Sequence, residues 1–160
     1  EIVGIVTAVG SDVTTHVVGQ HVGVGWQRSA CGVCQYCLAG QEHLCVDHTT
    51  TCTAGQIGGF AHYHRTKARF AFPLPEDGPL EAMGPLLCGG ATTFSPFVDF
   101  DVKPWHRVAV VGIGGLGHLA VQWAAKWGCE VTALSTSVGK GPDVVKLGAH
   151  RFTLLPRSGR

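Results

Sequence analysis

Four cysteines in the first half of the chain have the spacing of metal ligands: Cys31, Cys34, Cys37 and Cys45. Four thiolates this close in sequence can close a tetrahedral zinc site that leaves no position open for a substrate, which is the structural kind of zinc site. A bacterial iron–sulfur run has a shorter final spacing and a proline after its last cysteine, whereas Val46 follows here. The spacing therefore favours structural zinc, with four free or buried cysteines as the alternative.

A glycine-rich motif in the second half, Gly112-Ile113-Gly114-Gly115-Leu116-Gly117, indicates a nucleotide site. It follows an apolar run at 108–111 and opens a helical pattern over 116–127. In dinucleotide-binding folds the first glycine makes the turn, the second lets the backbone approach a pyrophosphate, and the third lets the helix pack on the strand. The candidate binding residues are Gly112, Gly114, Gly115, Leu116 and Gly117. A glycine-rich turn without a ligand is the alternative.

The residues after the next apolar run bear on the choice of dinucleotide. NAD-binding folds usually place Asp or Glu about 20 residues after the glycine motif to bond the ribose 2′-hydroxyl. Here the run ends at Ser135, Thr136 and Ser137, and Lys140 follows. Hydroxyl groups and an ammonium group would attract a 2′-phosphate, so the sequence favours NADP(H) over NAD. The alternative is a polar loop with a solvated lysine.

Other cysteines and histidines are weaker candidates. Cys88 lies among glycines at the expected domain boundary, where ligand sites are common, and is either a catalytic metal ligand or a small core residue. Cys52 and Cys129 have no such context and are interpreted as structural or incidental. His62 and His64 would share one face of a strand, but no third ligand is evident, which favours a polar surface.

Composition excludes several classes of function. Of 160 residues, 45% are hydrophobic and 14% charged, which is not the composition of a disordered chain. The net charge is +1 and the basic residues form no stripe, which argues against a nucleic-acid partner. No apolar run reaches the roughly 18 residues of a membrane span. Tightly spaced cysteines are typical of a reducing compartment, and no targeting signal is visible, so the sequence predicts a cytoplasmic protein.

The two halves of the chain differ in their predicted elements. The first half is predicted to be all-β and loop-rich, with strands at 1–10, 22–26, 58–63 and 70–75. Gly23 and Gly25 indicate bulges or tight bends in the second of these. After a boundary near residues 80–87, the pattern is strand, helix, strand, helix, strand, which predicts a parallel sheet. The first strand, at 108–111, is predicted to be buried on both faces. A helix follows at 116–127 and stops at Gly128. The remaining elements are a buried strand at 130–134, a short helix at 143–147 and a strand at 151–154.

These motifs, in this order, resemble the zinc-dependent medium-chain alcohol dehydrogenases, most closely the cinnamyl alcohol dehydrogenase-like branch. The likeness extends over nearly the whole chain, including Val22-Gly-Val-Gly-Trp26, the four-cysteine segment and the 112–117 turn. It implies a mixed α/β and all-β fold. A GroES-like β-barrel catalytic domain at 1–84 would be followed by a Rossmann domain, a doubly wound parallel sheet, at 85–160. Both domains would be truncated, and substrate and nicotinamide would bind in the cleft between them.

The resemblance also implies roles for single residues. Cys31, Cys34, Cys37 and Cys45 would hold a structural zinc. Cys88 matches the third ligand of a second, catalytic zinc, and Glu1 looks like the acidic residue after that site's His ligand. Thr92 resembles the residue beside the nicotinamide. Ser135, Ser137 and Lys140 match the branch that selects NADP(H). The implied reaction is hydride transfer between nicotinamide and a primary alcohol or aldehyde, and the implied assembly is a homodimer.

The chain also departs from the family pattern. Two catalytic zinc ligands are expected upstream of residue 1 and the last Rossmann strands beyond Arg160, so the chain is interpreted as a central fragment that is inactive alone. Two alternatives remain open. One is a quinone or enone reductase relative without catalytic zinc, and the other is a non-catalytic zinc-binding module.

Overall fold

A computed structural model of the chain describes residues 1–53, 55 and 58–156. The chain divides into two compact units, the first from Glu1 to Cys88 and the second from Gly89 onward. The domain boundary between residues 84 and 85 remains a prediction. None of the helices in the described part of the chain has the length and apolar character needed to span a bilayer.

The first unit is built on two small antiparallel sheets. One contains strands β1 (Ile2–Ile5), β2 (His21–Val24) and β5 (Phe72–Pro73), in the order β1-β2-β5. The other pairs β3 (Gln27–Ser29) with β4 (Thr49–Thr50). Short helices α1 (Gln35–Leu38) and α2 (Leu80–Met83) interrupt the strands. The expectation of an all-β first half is therefore wrong in detail, since short turns of helix carry the chain between strands.

Gly23 of β2 and Gly25, the residue after this strand, allow close packing, and Gly23 does not form a bulge. The register of β2 with β1 is regular through Gly23, and the irregularity of this unit lies between Gln27 and Ser29 in β3. A Cβ atom on Gly23 would lie 2.5 Å from a methyl group of Leu87, and one on Gly25 would lie 2.9 Å from the Leu87 carbonyl oxygen. The absent side chains thus leave the room into which Leu87 packs.

The strand predicted at 58–63 is not formed by the residues of this segment that the structure describes. Gly59 instead lets the chain pass close to β1, because a Cβ there would lie 2.7 Å from Cγ1 of Ile2. Phe60 and Tyr63 are exposed, so the segment has no buried face to hold it against a sheet. The interpretation of His62 and His64 as one face of a strand is wrong for the same reason.

The second unit confirms the alternation of strands and helices. Its elements in chain order are α3 (Gly89–Asp99), β6 (Arg107–Val111), α4 (Gly117–Trp127), β7 (Glu130–Ser135), α5 (Gly141–Lys146) and β8 (Arg151–Leu154). The three strands are parallel and adjacent in the order β6-β7-β8. The helix stop is also confirmed, because Gly128 has φ of +100° and its N–H closes the last turn on Ala125.

The core of this unit lies on one face of the sheet. Val121 and Ala124 of α4, Val131 and Ala133 of β7, and Val144 of α5 are fully buried together. Strand β6 was expected to be buried on both faces, and this is wrong, because Val111 is 71% exposed. Successive side chains alternate between faces, and the described helices cover only the face to which Val110 and Ala133 belong.

Helix α3 has no clear signal in the sequence. Gly89 and Gly90 at its start and Pro96 inside it disfavour a helix. Packing on α4 stabilises the helix despite these residues, since the Phe94 ring makes edge contacts with the indoles of Trp123 and Trp127.

Candidate functional site

The structure brings together the four cysteines of the predicted zinc site. The sulfurs of Cys31, Cys34, Cys37 and Cys45 all lie within 4.8 Å of one another, and the Cys31 and Cys37 sulfurs are 3.9 Å apart. Zinc–sulfur bonds of about 2.3 Å in a tetrahedron require sulfurs about 3.8 Å apart. All seven cysteines of the chain are free of disulfide bonds. The four thiols therefore fit a tetrahedral dication.

Local backbone structure holds this cluster. Cys34 starts α1 and Cys37 lies within it, while Cys45 follows a 3₁₀ turn at Glu42–Leu44. The N–H groups of Val33 and Cys34 donate to the Cys31 sulfur at 3.5 and 3.3 Å, and the Cys31 N–H donates to the Cys45 sulfur at 3.4 Å. Such donors stabilise thiolates, the form in which cysteine binds metal.

The pKa values of two cysteines in the cluster are shifted in opposite directions. Hydrogen bonds from the N–H groups of Val33 and Cys34 lower the pKa of Cys31 to about 7. Burial raises the pKa of Cys37 to about 12. Four anionic sulfurs cannot be packed together without a cation, and a bound dication would stabilise the thiolate form of all four.

The cluster also serves as the core of its lobe. Cys37 and Cys45 are buried with Ala30 and Phe70, and Cys31 and Cys34 pack against them. Few other large apolar side chains are buried in this part of the unit. A metal at the centre would therefore stabilise the lobe where hydrophobic burial is small.

The glycine motif forms a tight turn from β6 into α4. Gly112 has φ of +86°, and its N–H extends the sheet by donating to the Leu134 carbonyl at 2.9 Å. A Cβ atom on Gly117 would overlap the Gly112 carbonyl oxygen, whereas Gly114 and Gly115 face open space. The third glycine is thus required by packing, and the middle ones leave room for a ligand at the N-terminus of α4.

A hollow of about 420 Å³ lies beside this turn. It is lined by Val111, Gly112, Ile113, Gly114, Ser135, Thr136, Ser137, Lys140 and Leu155. No carboxylate is among these described lining residues. The Lys140 ammonium group donates to the Ile113 carbonyl, and the buried Ser135 hydroxyl accepts from the Ser137 N–H at 3.2 Å. The structure thus joins the glycine turn and the Ser135–Lys140 segment in one concave, cationic surface.

Two residues at this turn, His118 and Ile113, make contacts that the sequence motifs do not predict. Nδ1 of His118, in the first turn of α4, lies 3.1 Å from the Gly114 carbonyl oxygen. Buried Ile113 supplies the carbonyl that holds Lys140. The contact between His118 and Gly114 has one signal in the sequence, the four-residue spacing of the two residues. The contact between Lys140 and Ile113 depends on tertiary structure and has no such signal.

Cys88 and Glu1, the predicted residues of a catalytic metal site, belong to no metal-ligand cluster among the described residues. Cys88 is half-buried and ends a 3₁₀ turn at Gly84–Leu87, with its N–H directed at the Pro85 carbonyl. Glu1 and Thr92 are exposed. Within the described ranges, the four-cysteine cluster is the only group of three or more potential ligands, and neither Cys88 nor Glu1 belongs to one.

Two other residues, His64 and Cys129, have buried polar atoms but lie in no cluster of potential catalytic or metal-binding groups among the described residues. Both ring nitrogens of His64 are buried and lack a hydrogen-bond partner among the described residues. Burial, and secondly the charge of Arg28, lower the pKa of His64. Cys129 belongs to the apolar core of the second unit, where burial raises its pKa and keeps the thiol neutral.

Comparison with known proteins adds a family relationship to this geometry. Residues 1–76 match the alcohol dehydrogenase GroES-like domain family. The chain is 47% identical over 152 residues to an aldehyde reductase, AdhA, from Synechocystis sp., an alignment that covers 95% of this chain and 45% of the relative. The resemblance drawn from the sequence motifs is confirmed.

Solved structures give the same result. A cinnamyl alcohol dehydrogenase from Sorghum bicolor matches with a TM-score of 0.89 and 38% identity, over 96% of this chain and 46% of that one. A CAD from Helicobacter pylori, complexed with NADP(H), matches with a TM-score of 0.89 and 31% identity, over 99% of this chain and 48% of that one. The predicted GroES-like and Rossmann architecture is confirmed, and the chain spans about half the length of these relatives.

Proposed function

We propose an oxidoreductase function for this chain, because it belongs to the medium-chain alcohol dehydrogenase family, in its cinnamyl alcohol dehydrogenase-like branch. The reaction is hydride transfer between NADP(H) and a primary alcohol or aldehyde, and the chain supplies part of the machinery for it. The observation that carries the proposal is the pair of sites on one chain: a four-thiol metal cluster and a cationic glycine turn. By itself the chain binds zinc and nucleotide but does not turn over alcohol.

The four-thiol cluster binds one structural zinc ion. Cys31, Cys34, Cys37 and Cys45 occupy all four tetrahedral positions, so no position is left for a substrate. The separation of the Cys31 and Cys37 sulfurs, 3.9 Å, supports this assignment. The role of the metal is to hold the lobe together.

The turn at 112–117 binds the pyrophosphate of NADP(H). Gly112, Gly114, Gly115, Leu116 and Gly117 form the binding turn and present the N-terminus of α4 to the phosphates. Ser135, Thr136, Ser137 and Lys140 contact the 2′-phosphate. The Lys140 ammonium group uses one donor on Ile113 and keeps two others for an anion.

The catalytic contribution of the chain comes from three residues. Cys88 is a ligand of the catalytic zinc, Glu1 belongs to the same metal site, and Thr92 contacts the nicotinamide. When bound, that zinc acts as a Lewis acid that lowers the pKa of an alcohol or polarises a carbonyl. The close packing of Leu87 against Gly23 and Gly25 fixes the backbone beside Cys88 and limits where its thiol can point.

The remaining assignments concern the setting of the protein. Residues 1–84 form the catalytic domain and 85–160 the nucleotide-binding domain. Seven free cysteines support a reducing compartment, the cytoplasm. The partner is a small-molecule alcohol or aldehyde, and the complete enzyme is a homodimer.

The test combines native mass spectrometry, nucleotide titration and a turnover assay on the purified chain. We expect one zinc ion per chain, enhancement or quenching of fluorescence on titration with NADPH, and no oxidation of primary alcohols. Binding of NADPH should exceed that of NADH, which lacks the 2′-phosphate. A matched control is Cys52→Ser, since Cys52 lies outside the cluster and its loss should leave the zinc content at one.

Three results would contradict the proposal. A chain without zinc after expression in zinc-containing medium would remove the structural role of the cluster. Equal affinity for NADH and NADPH would remove the role of Lys140 and its neighbours. Turnover of alcohol by the chain alone would show that the missing half of the relatives' length is not needed for the reaction.

A further inference from the structure

A second concave, cationic surface lies in the first unit and shares no lining residue with the four-cysteine cluster. It is a hollow of about 330 Å³ lined by Arg28, Ser29, Thr49, Arg65, Thr66 and Lys67. Three of the six lining side chains are cationic, three carry a hydroxyl group, and none is acidic. The whole chain has a net charge of only +1, so this local excess of positive charge does not reflect the overall composition.

The three cations have no carboxylate to neutralise them. Every Asp and Glu of the chain lies within the described residues, and the ion pairs found there use Arg69, Lys103, Lys146 and Arg151 instead. Burial together with the charge of Arg28 lowers the pKa of the neighbouring His64, so the positive potential extends beyond the hollow. Like charges held together in this way repel each other, and an anion between them would relieve the repulsion.

Hydrogen bonds from side chains to backbone carbonyls join the two segments that carry these cations. Arg28 donates to the Arg65 carbonyl, and the Thr66 hydroxyl donates to the Arg28 carbonyl, each at 3.4 Å. Lys67 donates to the Ala30 carbonyl at 3.4 Å. These contacts place residues 28–30, at the end of β3, beside residues 65–67. Arg28 and Lys67 are thereby each anchored on a backbone carbonyl of the opposite segment.

Most hydrogen-bond donors of the hollow remain available. A guanidinium group has five N–H donors and an ammonium group has three. Arg28 and Lys67 each use one of these on a backbone carbonyl within the described part of the chain. The hydroxyl groups of Ser29 and Thr49 lie 2.6 Å apart, so one of the two hydrogens is committed to the other oxygen.

We propose that this hollow is a binding site for a phosphate group, either inorganic phosphate or the phosphoryl end of a small phosphomonoester. A tetrahedral phosphate dianion offers four oxygens to the two guanidinium groups, the ammonium group and the hydroxyls, and it neutralises two of the three positive charges. A planar carboxylate offers two oxygens and neutralises only one. The site is separate from the nucleotide turn, whose lining residues all lie between 111 and 155.

The test is a titration of the zinc-loaded chain with inorganic phosphate, followed by backbone amide chemical shifts. Ionic strength is kept constant with sodium chloride. We expect saturable shifts at the amides of Ser29, Thr66 and Lys67. Arg28→Gln and Lys67→Gln should each weaken binding by about tenfold, as expected for the loss of a charge-assisted contact. Zinc content and thermal unfolding of each variant show whether the lobe remains folded.

Two control variants make the test specific. Arg69→Gln removes a cation of the same segment that is already paired with Glu42, so phosphate affinity should stay within about twofold of the unchanged chain. Lys140→Gln changes the nucleotide turn and should leave the shifts of residues 28–29 and 65–67 unaltered. A parallel titration with glycerol 3-phosphate distinguishes the two sources, because the hollow takes the phosphomonoester only if that ligand saturates the same amides.

The proposal is overturned if phosphate gives no saturable shift in this region, or if sodium chloride alone produces the same shifts. It is also overturned if Arg69→Gln weakens binding as much as Arg28→Gln, because that result would indicate a diffuse surface charge. Since the nucleotide turn is not involved, failure here leaves the proposed dehydrogenase function untouched.

Discussion

The lobe around the cysteine cluster and the core of the second unit are stabilised in different ways. In the lobe, the buried side chains are Ala30, Cys37, Cys45 and Phe70. In the second unit, ten buried apolar residues form one cluster around Val121 and Val131. The second unit can therefore rely on hydrophobic burial, whereas the lobe has a small core that the proposed zinc ion would stabilise. Variants that perturb one region and leave the other intact test this difference.

Removal of zinc should have the largest effect. A chelator, or Cys45→Ser at the most buried ligand, should abolish ordered structure in the lobe while the second unit stays folded. Structural zinc sites in small domains contribute roughly 10 kcal/mol of binding free energy, far more than any single side chain. Amide exchange measured separately for the two units would check this, with Cys52→Ser as control. Loss of protection in both units would show that the second core is not independent of the metal.

The glycine turn should give the next largest effect. Gly117→Ala places a methyl group against the Gly112 carbonyl oxygen, so the turn must open and NADPH affinity should fall by at least about a hundredfold. Gly114→Ala is the matched control for folding, because its Cβ meets no atom. It should leave thermal stability unchanged and still weaken NADPH if the pyrophosphate approaches the turn closely. Zinc content should be unaltered in both variants.

A cavity in the second core should have a smaller effect. Val131→Ala removes two methyl groups from a fully buried position and should lower the free energy of unfolding of this unit by about 2 kcal/mol. Val145→Ala on exposed α5 surface should cost little. Denaturation followed by the fluorescence of Trp123 and Trp127 reports on this unit. An equal loss in both variants would contradict the idea that this cluster supplies the stability.

The smallest predicted effect concerns cofactor choice. Lys140→Gln should lower the preference for NADP over NAD by about tenfold, because one charge-assisted contact to the 2′-phosphate is lost. Lys146→Gln is the matched control, since Lys146 is exposed and lies 3.7 Å from Asp143. The ratio of the two dissociation constants is the measurement. An unchanged ratio in Lys140→Gln would assign the preference to the serine and threonine hydroxyls alone.

Much of the second unit could be predicted from sequence because its signals are local. The apolar run of β6, the glycine turn, α4 and its stop at Gly128 occupy consecutive residues, and each has its own chemical reason. Helix α3 could not be predicted, because Gly89, Gly90 and Pro96 oppose helix formation and only packing on α4 compensates. The burial of β6 was overestimated because a sequence shows that a run is apolar but not what covers it.

The candidate sites also differ in whether their residues are close together in the sequence. The cysteine cluster could be found from spacing alone, since its four ligands lie within one short segment. The contact of Lys140 with Ile113 and the cationic hollow around Arg28 join distant segments, and no local pattern reveals them. For Gly23 and Gly25 the sequence indicates bulges or tight bends, because it does not show that Leu87 packs against them.

The pairing of β2 with β5 also affects how fast the first unit can fold. Val22 pairs with Pro73, so roughly fifty residues must be closed into a loop before this contact forms, and the entropy of that closure opposes folding. In the second unit, Arg107 pairs with Glu130 across less than half that distance. Contacts close in sequence form faster. The cysteine cluster lies inside this long loop. Metal binding during folding would therefore shorten the flexible part of the loop, reduce the entropy cost of its closure and increase the folding rate of the first unit.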